Sequence, residues 1–156
     1  MVESVFRSLQ QDRASGRVTT LRDWLAGRAM APERFRETLA GIPEKLRGGI
    51  PFTVAVKDFL DEFSFRPHEI RQGAIDERPD LIGVVHQDAF LGAVAEHLAG
   101  VHALTCPAWA AEPQRFSERF WFSSDVKGFR ALLIATSPAA FRRRGLFVSP
   151  RALSRV

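Results

Sequence analysis

Along this chain the apolar residues recur mainly at spacings of three and four, the period of helices that bury one face. Val5, Phe6 and Leu9 mark a first helix, closed by Gly16. Thr19 or Thr20 caps a second that carries Leu21, Trp24 and Leu25 and stops at Gly27. Pro32 opens a third, with Phe35 and Leu39 inward and Gly41 past its end. The stretch "IPEKLRGGIP", residues 42–51, reads as a loop on its proline and glycine content. Phe52, Val56, Phe59 and Phe63 predict a helix over 52–63, and "PHEIRQGAIDERP" a shorter one closed by Pro79.

The strongest periodicity lies between His86 and Leu104, where Phe90, Val94, Leu98 and Val101 form a stripe that Leu91 and Ala95 widen. The aromatic segment that follows, "TCPAWAAEPQRFSERFWFSS", has no period and predicts an irregular loop. A helix over 125–137 should turn Val126, Phe129, Leu132 and Leu133 inward. Ser137-Pro138 and Ser149-Pro150 then start two short capped helices, the first anchored by Phe141 and ended by Gly145. The expected fold is all-α: one compact multi-helix domain over 1–156, about seven to eight helices, with an aromatic loop and two short capped helices at the carboxyl end. Residues 1–49 supply its N-terminal helices and are open to being a semi-independent subdomain.

Composition bounds the class. Hydrophobic content of 46% with 26% charged residues is ordinary for a globular chain. No apolar run approaches the ~18 residues of a membrane helix, and the opening residues lack the basic start and apolar middle of a secretory signal. The expectation is therefore a cytoplasmic protein with no membrane contact. Cys106 is the single cysteine, which leaves no partner for an intramolecular disulfide and no cysteine-based zinc site.

Charge is distributed unevenly. Residues 1–57 carry a net +4, residues 58–118 a net −7 and residues 119–156 a net +7, with Asp125 the one acid in the last segment. The simplest reading is internal complementarity, a basic tail folded over an acidic middle. The other reading leaves the tail for an external partner.

Three chemistries compete for these residues. The carboxylates Asp58, Asp61 and Glu62 share a helix face and, with His68, His86, His97 and His102, offer a small-hydrolase site. The wet side of an amphipathic helix is the favoured reading of those carboxylates. His97 and His102 are five apart, on different faces, so "EHLAGVH" is not the two-histidine zinc arrangement. No phosphate loop, dinucleotide fingerprint or nucleophile elbow occurs, and neither a cofactor nor a metal is expected. A DNA-binding regulator would use Arg22, Arg28, Arg34 and Arg36 on the N-terminal helix pair together with the basic tail, although Glu33 and Glu37 flank two of those arginines. A protein interface would draw on Trp109, Arg115, Arg119, Trp121, Arg142, Arg143, Arg144 and Arg151, since aromatic and arginine side chains dominate binding hot spots.

Asp88-Ala89-Phe90, Ala93 through His97, Pro107 with Trp109, and Ser137-Pro138 followed by Phe141-Arg142-Arg143-Arg144 form a pattern over residues 86–156, with weaker similarity around "VKDFLDEF". It resembles a group of small bacterial helical proteins of poorly defined function, encoded beside nucleotidyltransferase-type partners in toxin–antitoxin-like modules. That resemblance implies a non-enzymatic, antitoxin-like protein that binds and neutralises or regulates a cognate protein, and it transfers no catalytic residue. DNA and a second copy of the chain are the further partners that this reading allows.

Overall fold

The computed structural model describes residues 36–153, and the helices expected before residue 36 lie outside the described residues. The described part is predominantly α-helical, with six α-helices and one pair of two-residue strands. Thr38 is extended and caps a short 3₁₀ turn, Leu39–Gly41, by accepting the Gly41 N–H on its Oγ1 at 3.2 Å. Gly41 therefore leads into a helix instead of ending one. That helix, α1 (Ile42–Arg47), occupies the stretch expected as a loop. Pro43 sits in its first turn, where a missing N–H costs nothing, so proline here starts structure and Gly48-Gly49 ends it.

Helix α2 (Phe52–Phe65) buries Ala55, Val56, Phe59 and Phe63, and ends where Pro67 forces Arg66 into an extended conformation. Helix α3 (His68–Asp76) stops three residues short of Pro79. Helix α4 (Val85–Val101) is the longest helix of the described residues. Every residue from Asp88 to Ala95 is buried, so its middle is enclosed on all sides, and the single stripe expected from the sequence understates this. The Trp109 indole Nε1–H, donated to the carbonyls of Ile75 and Asp76 at 3.1 Å each, fastens the following segment to the end of α3.

The expected aromatic loop contains two 3₁₀ turns, Ala108–Ala111 and Pro113–Arg115, and the strand β1 (Trp121–Phe122). β1 pairs in parallel with β2 (Leu146–Phe147), Trp121 opposite Leu146 and Phe122 opposite Phe147. Gly145 makes this close approach feasible. Its φ is +72°, and a Cβ there would lie 3.3 Å from the Ser117 carbonyl oxygen. Helix α5 (Arg130–Thr136) and the four-residue α6 (Ala139–Arg142) form the corner between the strands. Ser137 was expected as the α6 cap, but its Oγ instead donates to the Val148 carbonyl at 2.9 Å and accepts the Val148 N–H at 2.7 Å. The second expected terminal helix is a single 3₁₀ turn, Pro150–Ala152, capped as foreseen by Ser149.

Gly92 controls the packing around α4. A Cβ at this position would stand 2.9 Å from Arg115 Cβ and 3.2 Å from Arg144 Nε, both buried. Gly92→Ala should destabilise the fold by about 1–3 kcal/mol in a urea titration, despite alanine's better helix propensity. Gly100→Ala, on the same helix with open space around it, should be neutral or stabilising by up to about 1 kcal/mol.

Candidate functional site

The residues expected at a partner interface separate into three groups. Trp109, Arg115 and Arg144 are buried and belong to the core, which corrects their assignment to the surface. Asp88, Gly92 and Glu96 follow one another at intervals of four along one face of α4. Arg115 lies against Asp88 at 3.4 Å, donates to the Pro79 carbonyl and stacks its guanidinium 5.2 Å from the Trp109 ring centre. Arg144 pairs with Glu96, donates to the carbonyls of Ala140 at 2.9 Å and Ala110 at 2.7 Å, and lies 4.7 Å from the Phe116 ring centre. Burial lowers both guanidinium pKa values, opposed by the adjacent carboxylates. Asp88 also accepts the N–H groups of Ile82 and Gly83 at 2.8 and 3.0 Å, closing the loop into α4. The basic tail is thus partly consumed by the acidic middle of its own chain.

The second group stays at the surface. Arg119 and Arg142 are exposed, and neither makes an ion pair with a described residue. Arg143 is half exposed and meets Glu96 at 2.9 Å. Nearby, the Phe147 ring stacks on Phe122 at 4.8 Å and meets Phe120 edge-on at 5.4 Å, while Arg130 covers Phe122 at 5.1 Å. Phe120 is 76% exposed. Against expectation, Val126, Phe129 and Leu132 are also more than half exposed, and Leu133 alone among the large apolar residues of α5 is buried. A seven-residue helix can turn only one side to the core, and Leu133 takes it.

The third group, Trp121 and Arg151, lines a trough of about 980 Å³. One wall is the flank of α2 that carries Phe52, Lys57, Leu60 and Asp61. The facing wall comprises His86, Gln87 and His102 at the two ends of α4, and β1 with the C-terminal turn closes the side. The floor is the core itself, through Val56, Phe63, Phe90, Leu98 and Val148. His86 and Trp121 lie in parallel, 5.0 Å between ring centres. His102 Nδ1 accepts from Arg71 Nη1 at 3.0 Å, which leaves the ring proton of the neutral form on Nε2. Burial, then the charge of Arg71 and the neighbouring His68 and His97, lowers its pKa. Sequence periodicity did not identify this trough, because its walls come from segments up to a hundred residues apart.

Of the residues read as a hydrolase site, Asp61, His86 and His102 line the trough, and the others have partners elsewhere. Asp58 lies 3.9 Å from Lys45. Glu62 accepts the N–H groups of Arg36 and Glu37 at 3.1 and 2.8 Å and is paired with Arg66 at 2.7 Å. Its burial, which would raise its pKa, is outweighed by these bonds, so the pKa falls. His97 packs on Phe141, and His68 donates from Nε2 to the His102 carbonyl at 2.8 Å. Among the described residues no group of three or more His, Cys, Asp or Glu gathers where a metal ion would bind. Cys106 is exposed. Of the arginines assigned to DNA, Arg22, Arg28 and Arg34 lie outside the described residues and Arg36 is exposed. No helix of the described residues is long and apolar enough to cross a membrane. The chain matches no protein-family model, no curated protein and no solved structure.

Two outcomes follow from this arrangement. Arg144→Ala should cost about 3–5 kcal/mol by leaving Glu96 without its buried partner, whereas Arg142→Ala should stay within about 0.5 kcal/mol; denaturant titration separates them. Burial also lowers the His97 pKa, so the neutral imidazoles of His97 and His102 stabilise the fold. That contribution is complete above the unfolded value of about 6.5 and is lost as pH falls through the lower folded values. The urea midpoint should therefore drop as pH falls below about 6.5, and the drop should shrink in a His97→Leu, His102→Asn variant.

Proposed function

We propose that this chain is a non-catalytic, antitoxin-like partner-binding protein of a bacterial two-gene module, acting in the cytoplasm. It binds its cognate protein through the face built from residues 119–143. One observation carries this reading: α5 has the composition of an enclosed helix, "RALLIAT", yet of its large apolar residues only Leu133 is covered. Phe120, Val126, Phe129, Leu132 and Ile134 present their side chains to solvent at 47–76% exposure.

The surrounding charge selects the partner. Arg119, Lys127, Arg130 and Arg142 belong to the same segment, are exposed and make no ion pair with a described residue; Arg130 covers Phe122, and Asp125 is the one acid of the segment. A surface combining acidic side chains with an apolar centre is complementary in both respects. The resemblance of residues 86–156 to proteins encoded beside nucleotidyltransferase-type toxins supplies the candidate for that partner. Bare DNA phosphates would satisfy the cations but leave the five apolar side chains uncovered.

The test is co-expression with the product of the adjacent reading frame. A stable complex is expected from the natural chain. Leu132→Glu with Ile134→Glu should abolish it while the far-UV helix signal and thermal midpoint persist, and Arg142→Glu should weaken it in a salt-dependent manner. A complex that survives the double substitution, a homodimer formed through this face alone, or a DNA affinity with a steep salt slope in place of a protein complex would each overturn the proposal.

A further inference from the structure

The trough between α2, α4 and the β1 edge lies apart from the α5 face, and its lining has a chemistry of its own. We propose that it is a binding site for a small planar aromatic carboxylate. This inference does not rest on the partner-binding reading.

Size comes first. The trough's volume of about 980 Å³ lies at the upper end of the roughly 300–1,000 Å³ spanned by small-molecule sites, and its apolar floor is part of the packed core. The described α2 residues that line it run from Phe52 to Ser64, about 18 Å of helix at 1.5 Å per residue.

Ring chemistry comes second. Phe52 and Phe90 meet edge-on at 5.4 Å, and Trp121 and His86 form a flat stacked pair at 5.0 Å with planes only 7° apart. These four rings all border the trough. Aromatic faces and edges at such spacing gain most from another flat ring, by offset stacking or edge contact, and less from a flexible alkyl chain.

Charge comes third and decides the head group. In the rest of the body Lys45, Arg47, Arg66, Arg78, Arg115, Arg143 and Arg144 each meet an acid of the chain. Lys57 and Arg151 line the trough and make no ion pair with a described residue, and Asp61 is the one acid among its described lining residues. Two such cations beside an aromatic wall form a receptor for a compact anion. The arginine fork and the lysine ammonium both donate to carboxylate oxygens.

The experiment uses the full chain and three probes that share a ring and differ in head charge: naphthoate, naphthylmethanol and naphthylmethylamine. Calorimetry and tryptophan emission should show naphthoate saturating one site per chain, with an emission change absent from Trp121→Phe. Naphthoate should bind about tenfold tighter than the alcohol, and the amine most weakly. Lys57→Glu with Arg151→Glu should reverse the order of acid and amine. Lys57→Gln with Arg151→Gln should bring naphthoate and alcohol together, which covers the case where charge reversal unsettles the fold. Leu132→Glu should leave all three titrations unchanged, separating this site from the α5 face. The proposal is overturned by non-saturable naphthoate binding, by equal affinity for the three probes, by a naphthoate affinity indifferent to the glutamine pair, or by loss of binding in Leu132→Glu.

Discussion

Two arginines enclosed inside the molecule set the terms for everything packed around them. A guanidinium removed from water is several kcal/mol unfavourable unless its donors and its charge are met. Arg115 and Arg144 find their charge partners on one face of α4, where Asp88 and Glu96 stand two turns apart and Gly92 between them leaves room for both side chains. Their terminal nitrogens also donate to the carbonyls of Pro79, Ala110 and Ala140, while each Nε–H stays without a partner among the described residues. The rings of Trp109 and Phe116 cover the guanidinium planes. Because Arg115 lies within the aromatic segment and Arg144 follows α6, this face draws both parts of the chain onto the central helix. A side chain on residue 92 would push both arginines off it.

That arrangement also resolves the bipolar charge pattern. The acidic middle of the chain is not a separate negative surface facing a positive one. It sends Asp88 and Glu96 inward to take one arginine from the aromatic segment and two from the tail, Arg143 at the surface and Arg144 within. The cations left over are sorted by position. Arg119, Lys127, Arg130 and Arg142 are exposed in the segment that carries β1 and α5, and Lys57 and Arg151 line the trough. Internal neutralisation and external availability are therefore both true of the same basic segment, residue by residue. Arg142 ends α6 while Arg143 and Arg144 lie in the turn that follows, so the three point in different directions, Arg144 into the core and Arg142 into solvent.

The two proposed surfaces differ in physical kind. The α5 face is exposed and apolar on a short helix whose large apolar residues other than Leu133 stay uncovered, which suits the broad contact of a protein partner. The trough is concave, floored by the core and walled by rings, which suits a small ligand that can be surrounded. Both depend on the β1–β2 pairing. It turns Trp121 into the trough lining while its neighbours Phe120 and Phe122 join Phe147.

The helical character of the described residues, the inward stripe of α2 and the length of α4 were legible in the sequence, because helix period and proline–glycine punctuation act over a few residues. Ser149 as a cap was legible for the same reason. The interval of four linking Asp88, Gly92 and Glu96 was legible too, but nothing local says that Arg115, 27 residues from Asp88, and Arg144, 48 residues from Glu96, will come to them. Proline in "IPEKLRGGIP" has opposite meanings at the start of a helix and in a loop, and only its neighbours' packing chose between them. The sequence by itself determined which segments coil and how much charge each carries. Tertiary structure alone decided which arginines are buried, which apolar face of α5 stays bare and that a trough exists, since burial depends on what distant segments place opposite each side chain.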